Sequence, residues 1–332
     1  MQVYEYVHGT EYFESRILDR YIGGMRLGVF DIETLGLSPK FAPMILAGVM
    51  AVEPDGTCVV KQFFCENSGA DEERELLCAL REELAGFDVV LTYNGRYFDM
   101  PYVRERAVQL GLCGAPEDAF KLGSSSGLYG DELINCEPFN LDLLLFLRYY
   151  SGLKDALGKL NQKNIERYMG LEVSRDDEIS GGDSVLLYKE FEKCEDAELK
   201  AALREKILLH NHDDLLQLYK IFPVILQSDI HKGMNRLGFP VKGEHGWGNF
   251  HVKKIKVSAS GLVASGSYCG QPESFYSYST AEQPYSATLD ANHNFTIEFA
   301  QHGLKAALSD PREINEFTQA LIQRFARDNP RN

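Results

Sequence analysis

The chain has no Cys-x-x-Cys pair, and its seven cysteines (58, 65, 78, 113, 136, 194 and 269) are odd in number. Both facts speak against a zinc cluster and a disulfide framework, and reduced, mostly buried cysteines acting as small apolar residues are expected. Long hydrophobic runs are also missing. The longest, Met44 to Val52, falls far short of a membrane span. Met1 to Gly24 mixes acids, bases and aromatics without the apolar stretch of a secretory leader, so a cytoplasmic protein with no membrane partner is expected. There is no internal repeat and no long low-complexity tract. Positive charge is scarce: 34 Lys and Arg face 49 Asp and Glu, a formal net charge of −15, which speaks against a polyanionic partner. That scarcity is uneven. Residues 1–231 hold 23 basic and 40 acidic side chains, whereas 232–332 hold 11 and 9. The later stretch includes the basic run Lys253-Lys254-Ile255-Lys256.

What is present is ordinary globular material, 44% hydrophobic and 25% charged over 332 residues, enough for one large domain or two. Residues 1–26 read as a strand or two and a short helix ended by Gly23-Gly24. Strands follow at Leu27 to Glu33, Met44 to Val52 and Cys58 to Cys65, the last two joined by the turn Glu53-Pro54-Asp55-Gly56. The spacing of Leu76, Leu77, Leu80 and Leu84 predicts a helix over 71–86. Val89 to Tyr93 reads as a buried strand and Asp99 to Leu110 as a helix. Gly111 to Glu137, with its serine-rich centre at 123–127, is a long polar loop of the kind that carries function. Phe139 to Leu147 reads as a strand entering a helix, Leu153 to Tyr168 as helical and 173–182 as an acidic turn. Ser184 to Lys193 and Glu195 to Leu226 read as helices. Five short strand-like runs between Phe250 and Phe299 and a helix over Pro311 to Ala326 complete the chain. The expected architecture is an α/β unit over 1–231, with 1–26 packed on it as an extension, and an antiparallel β-rich module over 232–332.

Three stretches carry chemistry. In Val29-Phe30-Asp31-Ile32-Glu33-Thr34 the carboxylates of Asp31 and Glu33 leave the strand on one side, opposite Phe30 and Ile32. Two anions held that close repel unless a cation lies between them, and hard oxygen donors suit Mg²⁺ or Mn²⁺. The second stretch, Tyr93-Asn94-Gly95-Arg96-Tyr97-Phe98-Asp99, sits where a strand hands over to a helix, and Asp99 can also be read as a plain N-cap. The third lies in the long helix around His210. Steps of three and four from Ile207 reach Asn211, Asp214, Leu218, Ile221 and Ile225, an inward stripe that carries Asp214. Asp213 then falls with Lys206, Gln217 and Lys220 on the wet face, while His210 lies one turn before Asp214.

On these residues the sequence resembles the DEDD superfamily of 3′–5′ exonucleases, which have a ribonuclease H-like fold, and within it the YprB-like branch, similar to the exonuclease domain of family B DNA polymerases. The match runs through Phe30-Asp31-Ile32-Glu33-Thr34-Leu35-Gly36-Leu37, Tyr93-Asn94-Gly95 with Phe98-Asp99, and His210-Asn211 with Asp214. Leu141-Asp142-Leu143 with Arg148, and Ile179-Ser180-Gly181 leading to Tyr188, add to it. The resemblance spans about residues 25–227. It implies a mixed five-stranded sheet flanked by helices and two divalent ions held by Asp31, Glu33, Asp99 and Asp214. Such a pair serves in-line displacement at a phosphodiester, here at the 3′ end of single-stranded DNA or RNA. The resemblance also implies His210 as general base and contacts to the terminal nucleotide from Thr34, Leu35, Asn94 and Phe98. One departure stands: the histidine subgroup places its base five residues before the last Asp, and the tyrosine subgroup places a tyrosine four before it. His210 takes the four-residue spacing, so a core histidine is its rival reading. Asp142 is read as a structural strand-end residue, its rival being an acid that supports the metal ligands from behind.

Two other functions fit parts of the pattern. A haloacid dehalogenase-type phosphatase also begins on a strand followed by Asp, but it needs a second Asp where Glu33 stands. An exonuclease fold without turnover, serving as a nucleic-acid or protein-binding scaffold, is the other. In the tail, Lys253, Lys254 and Lys256 near Tyr268, Phe275, Tyr276, Tyr278 and Tyr285 suit single-strand contacts; the same residues equally suit a lysine-protected strand edge over an aromatic core.

Overall fold

The computed structural model describes residues 1–123, 133–171, 181–279 and 284–331. The serine-rich part of the polar loop beyond Gly123, and the acidic turn with Ile179 and Ser180, fall outside the described residues. In chain order the elements begin with β1 (Gln2–Gly9), α1 (Asp19–Ile22), β2 (Leu27–Thr34), β3 (Met44–Val52) and β4 (Thr57–Phe64). Then come α2 (Ala70–Leu84), β5 (Val89–Thr92), α3 (Asp99–Gln109), β6 (Lys121–Gly123), β7 (Leu133–Asn135) and β8 (Phe139–Asp142). Helices α4 (Leu143–Tyr150), α5 (Leu153–Leu157), α6 (Gln162–Tyr168), α7 (Gly181–Lys193), α8 (Ala197–Ile221) and α9 (Ile230–Leu237) follow. The last part holds β9 (Phe239–Val241), β10 (Phe250–Ser258), β11 (Gly261–Tyr268), β12 (Phe275–Ser279), β13 (Tyr285–Leu289), β14 (Asn294–Ala300), α10 (Leu304–Ala307) and α11 (Pro311–Asp328). Among the described residues no helix is long and apolar enough to cross a membrane.

These elements form two compact units: Met1–Glu14 with Arg26–Phe120 and Asn140–Gln227, and Ser15–Met25 with Lys121–Phe139 and Ser228–Asn332. The first is a mixed six-stranded sheet in the order β1-β4-β3-β2-β5-β8. The five strands read from the sequence are all present. The sixth is β1, whose residues Gln2 to Gly9 pair antiparallel with Phe64 to Thr57 along the outer edge of β4. β2, β3 and β4 are antiparallel neighbours, whereas β2 and β5 run parallel. Both faces are covered, which is why β3 and β5 read as continuous apolar runs. Phe30, Ile32, Ala47 and Val49 pack with Leu76 and Leu80 of α2 and Val103 of α3, while Leu46 and Phe64 pack with Tyr188 and Phe191 of α7 and Ile207 of α8.

Local chemistry accounts for the ends of these elements, and for several differences from expectation. Gly56, at φ 84°, closes the β3–β4 turn, where Glu53 N–H donates to Thr57 C=O at 2.8 Å. The helix expected over 153–168 is two, because Gly158 takes a left-handed φ of 72° between α5 and α6. The long helix ends at Ile221 and tightens into a 3₁₀ turn over Phe222–Gln227, where Pro223 lacks the donor to continue it. Cysteines are less buried than expected: Cys58 and Cys65 are buried on β4 and just after it, Cys78 is exposed on the outer face of α2, and the other four are half-buried. On α8 the stripe from Ile207 to Ile225 is buried as read except at Asp214, whose side chain is 23% exposed, and Asp213 and Gln217, read as wet, are buried. α8 packs against β2, β3 and β4 on one side and against α6 and α7 on others, so most of its circumference is covered and a two-sided helical wheel misplaces those residues.

In the second unit the sheet order is β12-β13-β14-β11-β10-β9, all antiparallel. Its inner face is aromatic: Trp247, Phe250, Phe275 and Tyr285 gather around Phe325 of α11, with ring centroids 5.2–6.4 Å apart. Trp247 Nε1–H donates to Asn329 C=O at 2.8 Å, which satisfies its one donor. The aromatics of the tail therefore divide. Tyr268 and Tyr285 are core and Phe275 faces that core, whereas Tyr276 and Tyr278 are exposed.

Asp142 ties the sheet to the turn after β5. Its carboxylate accepts from Asn94 N–H and Arg96 N–H, each at 3.0 Å, and caps α4 through Leu145 N–H at 3.4 Å. Truncation removes an N-cap and leaves several donors without an acceptor, so Asp142→Ala should lower unfolding free energy by about 2–4 kcal/mol. Asp142→Asn, which keeps one carbonyl oxygen, should lose less. Denaturant melts of the two variants check this, and equal losses would contradict it.

Candidate active site

β2 delivers the first two acids. Asp31 lies opposite Gly48 and Glu33 opposite Leu46 on β3, so both side chains leave the sheet toward α8 while Phe30 and Ile32 enter the core on the other face. The register slips between Glu33 and Thr34, and the chain turns there. Thr34 Oγ1 donates to Gly36 C=O at 2.9 Å, Leu35 N–H donates to Pro43 C=O at 3.1 Å, and the Tyr102 hydroxyl reaches Gly36 and Ala42 C=O at 2.9 and 2.7 Å. These bonds hold Thr34 and Leu35 at the strand exit.

Asp99 arrives through the turn after β5. Asn94 adopts a left-handed φ of 70°, a conformation asparagine tolerates better than most residues, and its carbonyl accepts from Tyr97 and Phe98 N–H at 3.1 and 3.0 Å. That turn starts α3 with Asp99 in its first turn, where Asp99 Oδ1 accepts from Ile32 N–H at 3.2 Å. Asp99 is thus fastened to the backbone between the two β2 acids. The Phe98 ring leans on Tyr102, with centroids 5.4 Å apart.

α8 supplies the rest. His210 is buried, with Nε2 3.6 Å from both Glu33 Oε1 and Asp214 Oδ2. The ligand atoms of Glu33, His210 and Asp214 all lie within 4.8 Å of one another. Asn211, the next residue on the helix, donates from Nδ2 to Asp31 Oδ2 at 3.0 Å and accepts from Gln62 Nε2 at 2.8 Å. α8 can come this close to the sheet because residue 48 is glycine: a Cβ there would lie 2.1 Å from Asn211 Oδ1.

Asp31, Glu33, Thr34, Leu35, Leu37, Phe98, His210 and Asp214 line one cleft of about 750 Å³. Asn94 and Asp99 are not among its lining residues: Asn94 forms the turn that places Phe98 and Asp99, and Asp99 is buried, near enough for its charge to raise the Asp31 carboxyl. Asn161, Gln162 and Lys163 of the α6 start, with Gly182 and Val185 of α7, form the opposite wall, and Gln162 Nε2 donates to Asp214 C=O at 3.0 Å. Sequence reasoning missed this wall. Its residues carry no motif, and reading 153–168 as one helix hid the break that brings them there. Gln62 and Gly48 did carry a signal, as a polar residue and a glycine inside apolar strands. Lys253, Lys254 and Lys256 lie on β10 in the second unit, exposed.

The electrostatics are those of anions crowded together. Burial pushes the Asp31 carboxyl well above the ordinary carboxylate range, and the charges of Asp99, Asp214 and Glu33 push it further, against the hydrogen bond from Asn211. Burial likewise raises Asp99 to about 7, with Asp142 and Glu33 adding to the rise. An Mg²⁺ or Mn²⁺ ion fits these oxygen donors in kind, and positive charge is what the crowded set calls for.

A pH dependence follows for the protein without metal. A carboxyl whose folded pKa is raised keeps its proton while the unfolded chain releases its own, so this part of the stability is full below about pH 4. It falls as pH rises toward about 7, the folded value for Asp99, and levels off above it. Asp99→Asn keeps the oxygen that accepts from Ile32 and removes the titration. In EDTA the variant should melt higher than the parent at neutral pH and show a flatter decline between about pH 4 and 7. Thermal melts across that range check it, and a lower neutral melting temperature would refute the account.

The RNase_H_2 family, described as RNase_H superfamily, matches residues 29–225, the stretch that holds every acid of the cleft. No curated protein sequence matches the chain. Among solved structures, the family B DNA polymerase from the hyperthermophilic archaeon Pyrobaculum calidifontis is similar at 17% identity and TM-score 0.43, over 73% of this chain and 33% of the polymerase. Exonuclease I is similar at 11% identity and TM-score 0.34, over 72% of this chain and 55% of its own. The chain therefore spans a third to about half the length of these two proteins. The antiparallel β2–β3–β4 order, unlike the parallel layers of a doubly wound phosphatase, agrees with the family match in setting the haloacid dehalogenase reading aside: the chain belongs to the ribonuclease H superfamily.

Proposed function

We propose that this protein is a divalent-metal-dependent nuclease of the DEDD type and YprB-like branch, a 3′–5′ exonuclease that hydrolyses phosphodiester bonds at the end of single-stranded DNA or RNA. The observation that carries the reading is the convergence of Asp31 and Glu33 from β2 with His210 and Asp214 from α8 on one cleft, and of Asp99 from the start of α3, buried behind its lining and near enough to raise the Asp31 carboxyl. Asp31, Glu33, Asp99 and Asp214 would hold two Mg²⁺ or Mn²⁺ ions, which supply Lewis-acid activation of water and charge stabilisation at the leaving oxygen. His210, set between Glu33 and Asp214, accepts the proton released by the attacking water. Thr34, Leu35 and Phe98 receive the terminal nucleotide, Phe98 by offering a ring face to its base. Asn94 acts one step back, through the turn. Asn211 is a positioning residue that fixes the Asp31 carboxylate from behind.

The test is hydrolysis of a 3′-labelled single-stranded oligonucleotide with Mn²⁺. Asp31→Ala should lower the rate at least about a thousandfold. Because Asp31 is a raised, crowded acid, the same variant should melt no lower than the parent in EDTA, which separates lost chemistry from lost fold. Tight oligonucleotide binding with no turnover in any divalent metal would leave the scaffold reading instead. His210→Gln should lower the rate by about 10²–10⁴ and remove the acidic limb of its pH profile. A profile with that limb intact would exclude His210 as the base.

A further inference from the structure

The register of the second unit's sheet places side chains in straight rows across its outer face. Cross-strand partners share a face, so one row runs Tyr276, Thr288, Thr296, Ser265, Lys254 from β12 to β10. The next row runs Tyr278, Ser286, Glu298, Val263, Lys256. The aromatic core lies on the opposite face, through Phe275, Leu289, Phe295 and Tyr285. At one edge Tyr276 and Tyr278 are 65% and 63% exposed. At the other, Lys253, Lys254 and Lys256 are exposed, Lys253 being the extra residue of a bulge between Val252 and Lys254. Between the edges the face is hydroxyl-rich, with Glu298 the acid in the two rows. β9 pairs only with Phe250 to Val252, which leaves the lysine end of β10 as an open edge among the described residues.

We infer that this face is a binding platform for single-stranded nucleic acid. The class of its occupant rests on the nuclease reading, and the face complements that occupant chemically. Two exposed rings two residues apart on one strand present faces on which successive bases stack, and the lysines, about 19 Å away across four strand spacings, hold phosphates. The serine and threonine hydroxyls between them hydrogen-bond to backbone or base without sequence preference. A protein partner would ask for an apolar centre, which a row of Thr, Ser and Glu does not offer. Lysines at an edge also discourage strand addition, but that role needs no tyrosines at the opposite edge and gives them no part in binding.

The experiment is fluorescence anisotropy of the full chain with labelled oligothymidylate and oligouridylate in EDTA, where no metal-dependent hydrolysis can occur. Tyr276→Ala with Tyr278→Ala should weaken binding by about tenfold or more, while Tyr276→Phe with Tyr278→Phe, which keeps the rings, should bind like the parent. Lys254→Glu with Lys256→Glu should weaken binding and lower its salt slope by about two, one for each phosphate no longer neutralised. Thermal melts matching the parent confirm that the variants fold; both alanine sites are exposed. The rate on a dinucleotide, too short to cross the sheet, should be unchanged in all three. If the parent does not bind in EDTA, or if both the alanine and the glutamate variants bind like the parent, the platform is overturned even where Mn²⁺-dependent hydrolysis is intact. If no hydrolysis is found but these variants lose binding, the platform stands and the nuclease reading fails.

Discussion

Repulsion among carboxyl groups is the constraint around which the first unit is built. Left to themselves, Asp31, Glu33, Asp99 and Asp214 would move apart or into water, yet the protein keeps them close, with Asp31 and Asp99 each held by a hydrogen-bond donor. Asn211 grips Asp31 from the helix side, and Ile32 N–H grips Asp99 from the strand. Gln62, on β4, steadies Asn211 by bonding both its side chain and the Leu208 carbonyl. The raised Asp31 and Asp99 show that this geometry costs stability locally, the mark of a site arranged for a task other than holding the fold.

The rest of the unit can be understood as support for that arrangement. A long helix must pass close over the sheet, so Gly48 stands where any side chain would meet Asn211. A turn must project Asp99 back toward β2, so Asn94 takes the left-handed conformation and Asp142 binds the turn's N–H groups. The Asp142 carboxylate is itself buried and raised, a second charge committed to holding backbone. Gly48 and Gln62 stand on strands and Asn211 within a helix, elements that place side chains more exactly than loops could.

Charge is divided along the chain in a way that bears on the proposed nucleic-acid substrate. The acidic surplus belongs to residues 1–231, and the region from 232 onward is slightly basic. An acid-lined cleft by itself repels phosphates, so affinity must be supplied by cations bound in the cleft, by Lys163 on its wall, or by a surface elsewhere on the chain. The open face of the second sheet is the surface proposed for that part, made of rings and lysines on a scaffold whose own core is closed by Trp247 and Phe325.

The alternation of Phe30-Asp31-Ile32-Glu33 was enough to put two acids on one face, since a strand has a period of two. The spacing of His210 and Asp214 was enough to put both on one side of a helix. The main strands and helices were legible for the same reason, because local periodicity decides them. The environment of each position was not legible. Asp213 and Gln217 are buried because three layers surround α8, which no single helix can reveal. The break at Gly158 that carries Gln162 and Lys163 to the cleft, the entry of β1 into the sheet, and the division of the tail's tyrosines between core and open face depend on partners distant in sequence. Sequence alone determined which residues share a face of their own element; only the tertiary structure decided what that face meets, because burial and charge are properties of packed surfaces rather than of single segments.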